Sequence, residues 1–469
     1  MKKTFDAIII GFGKGGKTLA GDLANRGLKV ALIEKSNKMY GGTCVNVACI
    51  PTKSLENSAN SVKTKNINSW DEVQAEYEKA IDKKETLITK LREANYNKLN
   101  SNENVTIFTG MGTFIDEKTV QVKTENEIYE LVADNIFINT GSRPFIPNIK
   151  GIENKNIVYD SESLMNLRVL PKKMTIIGAG FIGLEFAGIY SSFGAEVTIL
   201  NSNNGILPNE DVEDSEEIIK LLAKRNVKIV NNANIKEIKE VSELAIVEYE
   251  VDGKSKELTS NMILVATGRK ANTEGLGLEN AGIELNERGF IKVSETLKTN
   301  KEHIWAIGDI NGGPQFTYIS LDDYRIVINQ LFGDKTRTTN DRKNIPNSIF
   351  ISPAFSRVGL NVKQAKEKGY EVLVAKMPVE AIPRAKQIGK ADGFIKIVID
   401  KKSNKILGAS MICENSSEII HLIQLAVDLE VEYTYLRDRV YAHPTMTEAL
   451  NDILSPNTVS YTHLRAHET

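Results

Sequence analysis

Cysteine is scarce, three residues in a chain of 469, so no disulfide scaffold is possible, no oxidising compartment is implied, and the cytoplasm is the expected location. Proline is scarce too, at 12 residues, and with 26% charged and 41% apolar residues the collagenous and disordered classes are excluded. Neither sign of charge prevails. Fifty-nine Lys+Arg against 61 Asp+Glu leave a formal charge of -2, and no basic excess draws the chain to nucleic acid or anionic lipid. Nothing approaches the run of about 18 apolar residues that a spanning helix needs. The early stretch Ala7-Ile8-Ile9-Ile10 stops at Gly11, too short for the apolar region of a secretory signal. A soluble protein with no membrane or nucleic-acid partner is expected.

What the chain does have is length, enough for about three domains. It opens as strand, glycine turn, helix and strand (Phe5 to Ile10, Gly11 to Gly16, Lys17 to Arg26, Val30 to Glu34), one βαβ unit. Val73, Tyr77, Ile81, Ile88 and Leu91 at helical spacing predict a long amphipathic helix between Trp70 and Asn100. Strands are predicted at Val105 to Thr109, Thr119 to Val122 and Asn135 to Asn139. A second copy of the opening begins at Thr175, with a helix through Ser192 and a strand from Glu196 to Leu200. Its glycines start 167 residues after Gly11, which suits two nucleotide-binding domains in one chain. From about Pro346 the pattern becomes strands (Val372 to Ala375, Gly393 to Ile399, Lys405 to Ile412) and then a helix (Ser417 to Leu429), a third, α+β domain. The segment 459–469, after a helix that ends near Leu454-Ser455-Pro456, reads as an extraneous tail.

Gly11-Phe12-Gly13-Lys14-Gly15-Gly16 fits the pattern in which glycines allow a tight turn, backbone approach to a pyrophosphate and close helix packing. Glu34 follows Gly16 by eighteen residues, where a carboxylate can bind a ribose hydroxyl. Gly178-Ala179-Gly180-Phe181-Ile182-Gly183 has the same setting, but its second strand runs into Asn201-Ser202-Asn203-Asn204 with neither acid nor arginine. The choice between NADH and NADPH is therefore open. Cys44 and Cys49 lie five residues apart, about 7.5 Å of rise in a straight helix, which is beyond disulfide reach. With Cys44 just outside a helix start and Cys49 in its first turns, the sulfurs could meet, and a helix N-terminus would favour a thiolate. The alternative is a pair of small apolar core residues. Cys413 reads as inert core, and His303 and His421 as ordinary structural residues. Glu448 is spaced to orient the imidazole of His443 as a general acid/base.

Taken together, the two glycine fingerprints, the run Cys44-Val45-Asn46-Val47-Ala48-Cys49-Ile50-Pro51-Thr52-Lys53, Thr140-Gly141-Ser142-Arg143-Pro144, Ala266-Thr267-Gly268-Arg269, Ala306-Ile307-Gly308-Asp309 and His443-Pro444-Thr445-Met446-Thr447-Glu448 resemble the flavin-dependent class I pyridine nucleotide-disulfide oxidoreductases. They stand in the family's order, and the resemblance spans residues 4 to about 455. It implies an α/β fold with two Rossmann-like, doubly wound nucleotide-binding domains and a C-terminal α+β dimerisation domain. The expected bounds are 1–150, completed by 275–345, for FAD; 151–274 for NAD(P); and 346–458 for dimerisation.

The resemblance implies that Gly11, Gly13, Gly16, Glu34, Gly42, Thr43, Lys53, Gly112, Thr140, Gly141 and Asp309 hold FAD. It places the nicotinamide nucleotide, NADH or NADPH, on Gly178, Gly180, Gly183 and Gly268. Cys44 and Cys49 would form the redox-active disulfide, Lys53 would pair with Glu185 near the flavin, and His443 with Glu448 would reach the disulfide of the other subunit of a homodimer. Met39-Tyr40-Gly41-Gly42, Phe316-Thr317-Tyr318-Ile319-Ser320-Leu321-Asp322-Asp323 and Ala381-Ile382-Pro383-Arg384-Ala385 are most similar to the branch of bacterial reactive-chlorine resistance flavoproteins. That branch implies reduction of hypothiocyanous acid, with copper(II) reduction also proposed. A C-terminal vicinal cysteine pair, typical of mercuric reductases, is missing. Dihydrolipoyl dehydrogenase and glutathione-type small-disulfide reduction are the enzymatic alternatives, and a low-turnover redox-sensing flavoprotein is the alternative of another class. No resident metal is expected.

Overall fold

Both faces of the central strand β1 (Lys2–Ile10) are covered over Ala7 to Ile10, which is why this stretch reads as an unbroken apolar run. In the computed structural model, which describes residues 1–62, 65, 67 and 69–461, β1 is followed by α1 (Lys14–Asn25), β2 (Val30–Glu34), α2 (Gly42–Asn46), α3 (Cys49–Val62) and α4 (Trp70–Asn100). Then come β3 (Val105–Thr109), β4 (Met111–Phe114), β5 (Thr119–Lys123) and β6 (Ile128–Ile138). The sheet order is β3-β2-β1-β6-β5-β4. The pairings β3 to β2, β2 to β1 and β1 to β6 are parallel, and β4, β5 and the first half of β6 form an antiparallel meander. Strand Ile304–Ala306 returns much later to pair in parallel with Ile136–Ile138 at the end of β6.

The second sheet has five parallel strands, in the order Val227–Val230, Glu196–Leu200, Lys173–Ile177, Met262–Val265, Val158–Asp160. The third is antiparallel, ordered Asn347–Ile349, Phe355–Gly359, Ile406–Ile412, Phe394–Asp400, Val372–Pro378, Val459–Tyr461. Helix Ser416–Asp428 buries Ile419, Ile420 and Ile423 in the core of that sheet. The mixed α/β class is as the repeated glycine fingerprint predicts.

Differences from the sequence expectation are local. β1 starts at Lys2, in a polar, exposed outer half held by pairing with β6, and β6 starts at Ile128, with Leu131 and Ala133 buried in an outer half that alternates with exposed positions. The antiparallel trio Asn234–Val241, Leu244–Val251 and Lys254–Ser260 was not foreseen; its two outer strands, Asn234–Val241 and Lys254–Ser260, are rich in lysine and glutamate, which hides their alternation. Val459–Tyr461, placed in the tail by sequence, pairs with Leu373–Ala375; residues 462–469 lie outside the described residues. Helix α4 spans Trp70–Asn100 as expected, capped by the Ser69 hydroxyl, which accepts from the Glu72 amide.

A buried ion cluster joins the third sheet to the second. Lys396, fully enclosed, places Nζ 2.7 Å from Asp211, 2.8 Å from Glu213 and 2.9 Å from Asp214 at the start of helix Val212–Ala223. Burial favours the neutral lysine, but Asp214, Asp211 and Glu213 together outweigh it and hold its pKa above the ordinary value.

Candidate active site

The chain between the two cysteines is not one straight helix. Cys49 opens α3, and Cys44 lies outside it as the spacing suggested, inside a short helix of its own, α2, that ends at Asn46 with Val47 as its cap. The break lets the two thiols face each other, which a continuous helix forbids. The Asn46 amide fixes the turn by donating to Tyr40 O at 3.1 Å and Gly42 O at 2.9 Å, and Arg92 of α4 donates to its Oδ1 at 2.8 Å.

Cys44, Cys49 and Cys413 are free thiols. Cys44 and Cys49 hydrogen-bond to each other, and the contact splits their acidities. Cys49 is lowered first by its bond to Cys44, against burial, and further by the Thr317 hydroxyl and the Lys53 ammonium. Cys44 is raised by the same mutual contact and by burial. The two thiols are thus pushed apart in acidity, Cys49 downward and Cys44 upward. Cys413 is buried, with its thiol pushed up to about 12 by desolvation, in keeping with inert core.

Lys53, one turn along α3, donates to Glu185 Oε2 at 2.7 Å and stands 4.4 Å over the Phe350 ring. Glu185 Oε1 accepts from the Phe350 amide at 3.0 Å. The carboxylate thus ties α3, helix Phe181–Ser192 and the third sheet's first loop together beside the thiols.

At the first fingerprint, Phe12 N donates to Glu34 Oε2 at 3.0 Å and Ser36 N to Oε1 at 3.3 Å; burial raises the carboxyl's pKa. Gly16 N donates to Asn139 Oδ1 at 2.9 Å and Gly15 N to Ser320 Oγ at 3.1 Å. Ser142 Oγ donates to Asp309 Oδ2 at 2.7 Å and accepts from Arg269 Nε at 2.7 Å. Gly11 has φ of +110°, and a Cβ there would sit 2.2 Å from Asn139 O. Gly11→Ala is accordingly expected to destabilise the fold by about 3 kcal/mol. Urea unfolding checks this, and a midpoint equal to the parent's would refute it.

A single cavity of about 1300 Å³ is lined by Gly11, Gly13, Glu34, Gly42, Thr43, Cys44, Cys49, Lys53, Gly112, Thr140, Gly141, Asp309 and Glu185. Its size exceeds that of ordinary small-ligand pockets and suits an elongated dinucleotide. Gly16 stands behind this wall, packed on the Gly11 carbonyl. Gly178, Gly180, Gly183 and Gly268 lie off the lining, although Phe181 and Ile182 of the same helix reach it. Open space surrounds the Cβ positions of Gly180 and Gly268, room of the kind a nucleotide backbone needs. His443 and Glu448 are away from the cavity within this chain. His443 Nδ1 meets Glu448 Oε2 at 2.8 Å with the imidazole 72% exposed, Thr445 N donates to Oε1, and the histidine contact lowers the Glu448 carboxyl. His303 Nε2 contacts Glu117 O at 2.8 Å, and His421 lies on the cavity wall beside Gln424. Thr317, Phe350, Asn139 and Ser142 had no assigned role in the sequence. The quoted runs at Phe316 and Thr140 contain two of them.

Residues 5–323 match the family model described as pyridine nucleotide-disulphide oxidoreductase, and residues 345–453 match that family's dimerisation domain. The chain belongs to the pyridine nucleotide-disulphide oxidoreductase family. It is 42% identical over 451 residues, 96% of this chain and 99% of the relative, to RclA of Escherichia coli (strain K12), described as a probable pyridine nucleotide-disulfide oxidoreductase. Identity is 33% to a dihydrolipoyl dehydrogenase of Corynebacterium glutamicum, over 96% of this chain and 97% of that one. It is 32% to a mercuric reductase of Lysinibacillus sphaericus, over 95% and 81%. Among solved structures, the Cu(II) complex of the HOCl-induced flavoprotein disulfide reductase RclA from Escherichia coli superposes with a TM-score of 0.91 at 41% identity, covering 96% of this chain and 99% of that one. This pyridine nucleotide-disulphide oxidoreductase is therefore a flavoprotein disulfide oxidoreductase like RclA, with a family dimerisation domain at its C-terminal end. Membership implies use of a flavin and a pyridine nucleotide. Among the described residues no helix is long and apolar enough to cross a membrane, and no group of three His, Cys, Asp or Glu side chains could hold a metal ion.

Proposed function

We propose that this chain is a cytoplasmic, FAD-dependent NAD(P)H oxidoreductase that cycles Cys44 and Cys49 between dithiol and disulfide and reduces hypothiocyanous acid to thiocyanate. The observation that carries the reading is the pair of mutually bonded thiols of split acidity on the wall of a dinucleotide-sized cavity, beside the Lys53–Glu185 ion pair. Similarity over nearly the whole chain to an HOCl-induced flavoprotein supports the oxidant class.

In this reading FAD is held by Gly11, Gly13, Gly16, Glu34, Gly42, Thr43, Lys53, Gly112, Thr140, Gly141 and Asp309. NADH or NADPH is held by Gly178, Gly180, Gly183 and Gly268. When bound, the flavin supplies two-electron exchange between nicotinamide and disulfide. Cys44, the thiol of the pair, gives its proton to His443 of the partner subunit, whose ring is oriented by Glu448. The Cys44 thiolate attacks the sulfur of hypothiocyanous acid, forming a sulfenyl thiocyanate and releasing hydroxide, which takes up the proton. The Cys49 thiolate then attacks Cys44 Sγ, expelling thiocyanate and closing the disulfide. The family dimerisation domain, and the absence of His443 from its own chain's cavity lining, support active sites shared across a homodimer.

Anaerobic titration with NADH and with NADPH should produce a long-wavelength thiolate-to-flavin band, and hypothiocyanous acid should discharge it faster than lipoamide or oxidised glutathione. A faster discharge by lipoamide or glutathione disulfide would reassign the substrate. Absence of the band would remove the dithiol chemistry.

A further inference from the structure

The two glycine fingerprints close their turns on the neighbouring strand in the same way: Gly11 N donates to Ile33 O at 2.8 Å and Gly178 N to Leu200 O at 2.9 Å. Asn201 is thereby the counterpart of Glu34, at the strand end where a ribose hydroxyl is read. The two side chains are turned differently. Glu34 Oε2 accepts from Phe12 N of its own fingerprint. Asn201 is 3% exposed and turned into the loop that follows it, its amide donating to Asn203 O at 3.1 Å, Gly205 O at 3.0 Å and Asn231 Oδ1 at 2.9 Å. What this corner presents to solvent is Ser202, Asn203 and Asn204. Asn232 holds that turn in place, with its backbone N donating to Asn203 O at 3.0 Å and its Nδ2 to Asn204 Oδ1 at 3.3 Å.

We propose that this corner reads the adenosine ribose with neutral groups alone, so that NADH and NADPH are electron donors of comparable efficiency, and that Ser202, the first exposed residue past the strand end, is a position at which the preference is set. A carboxylate at the strand end accepts from a 2′-hydroxyl and repels a 2′-phosphate, whereas a guanidinium attracts the phosphate. Segments 201–205 and 231–234 carry neither charge. The cations beside Gly268 are engaged elsewhere. Arg269 donates to Ser142 through Nε to Oγ and Nη2 to O, both at 2.7 Å, and Lys270 donates to Glu274 at 2.7 Å. The acids that follow the loop, Glu210 and Asp211, are paired with Arg357 and Lys396. An added phosphate therefore gains no ion pair and meets no like charge, and it stays at an exposed corner where water and salt screen what remains.

This inference rests on the proposed placement of the nicotinamide nucleotide at Gly178, Gly180, Gly183 and Gly268, and its test separates the two. Calorimetric titration of the oxidised holoenzyme with NAD+ and with NADP+ gives the dissociation constants, and kcat/KM is measured with NADH and with NADPH. In the parent both ratios should lie within about tenfold. Ser202→Glu should weaken NADP+ about tenfold and leave NAD+ within about twofold, and Ser202→Arg should tighten NADP+ about tenfold. Asn203→Arg, on the same exposed turn, replaces Ser202→Arg if that variant loses flavin or unfolds early in urea. A parent preference beyond tenfold for either nucleotide overturns the neutral reading. Folded variants that keep the parental ratio of dissociation constants overturn the placement of the ribose at this corner. A flavin-loaded parent that binds neither nucleotide overturns instead the nucleotide assignment on which the inference rests.

Discussion

Cys44→Ser should lower turnover on hypothiocyanous acid by about three orders of magnitude or more, while the protein still folds and retains flavin. A serine hydroxyl is a poor nucleophile near neutral pH, and no neighbour here can compensate. Among the described side chains of its own chain, the strongest acid–base partner of Cys44 is Cys49. The serine hydroxyl can still donate to Cys49 Sγ, so the variant tests the nucleophile rather than the acidity of Cys49. Cys49→Ser should behave differently: one equivalent of oxidant is consumed and Cys44 is trapped as its thiocyanate adduct, visible as a mass increase, because the resolving thiolate is missing. Steady-state oxidation of NAD(P)H together with intact mass of the treated variants decides the matter. A Cys44→Ser protein that keeps more than a tenth of parental turnover would sink the assignment of Cys44 as nucleophile.

The largest expected effect on stability comes from Lys396→Met. Removing one partner of a buried ion cluster costs about 3–5 kcal/mol, because the remaining charges stay enclosed without compensation. Here the deletion leaves Asp214, fully buried, with the Ser410 hydroxyl as its side-chain partner, and one of its oxygens already has none. Glu213 is 41% exposed and contributes less. The pH behaviour follows from the signs. The Glu213 carboxyl is lowered, since Lys396 and Lys376 outweigh its burial. Its contribution is present above its unfolded pKa and lost as pH falls through the folded one. Asp214 is raised, chiefly by desolvation, so its ionised form costs stability that acid recovers. Lys396 is raised, so its part is complete below the unfolded lysine pKa and lost only in strong alkali. In urea denaturation Lys396→Met should unfold early, and Lys396→Met combined with Asp214→Asn should recover part of the loss. Equal midpoints for parent and single variant would show that the cluster does not hold the sheets together.

The parts legible in the sequence were those with one physical solution. Gly11 sits where φ is positive and any Cβ collides with Asn139 O, so glycine marks the turn without alignment or structure. Glu34 ends a strand whose register is fixed by full burial. Cys44 and Cys49 stood out against a background almost free of cysteine, although the break at Val47 that joins them did not. Thr317 remained silent because its contact to Cys49 spans 268 residues of chain. Phe350 likewise reaches Glu185 across 165. The acids of the Lys396 cluster read locally as an ordinary helix start, and their cation comes from a strand 185 residues away from Asp211. Local periodicity reports burial and turns; it carries no information about which distant side chains converge.

The late return of strand Ile304–Ala306 to the end of β6 has a consequence for synthesis. A ribosome that has released only the first three hundred residues has supplied every other strand of that sheet, yet neither Asp309 nor Thr317 exists. The cleft then lacks its far wall, while the five-stranded sheet inserted between is already complete. Assembly of the nascent polypeptide therefore runs from the inside outward, the interposed unit closing before the one that encloses it.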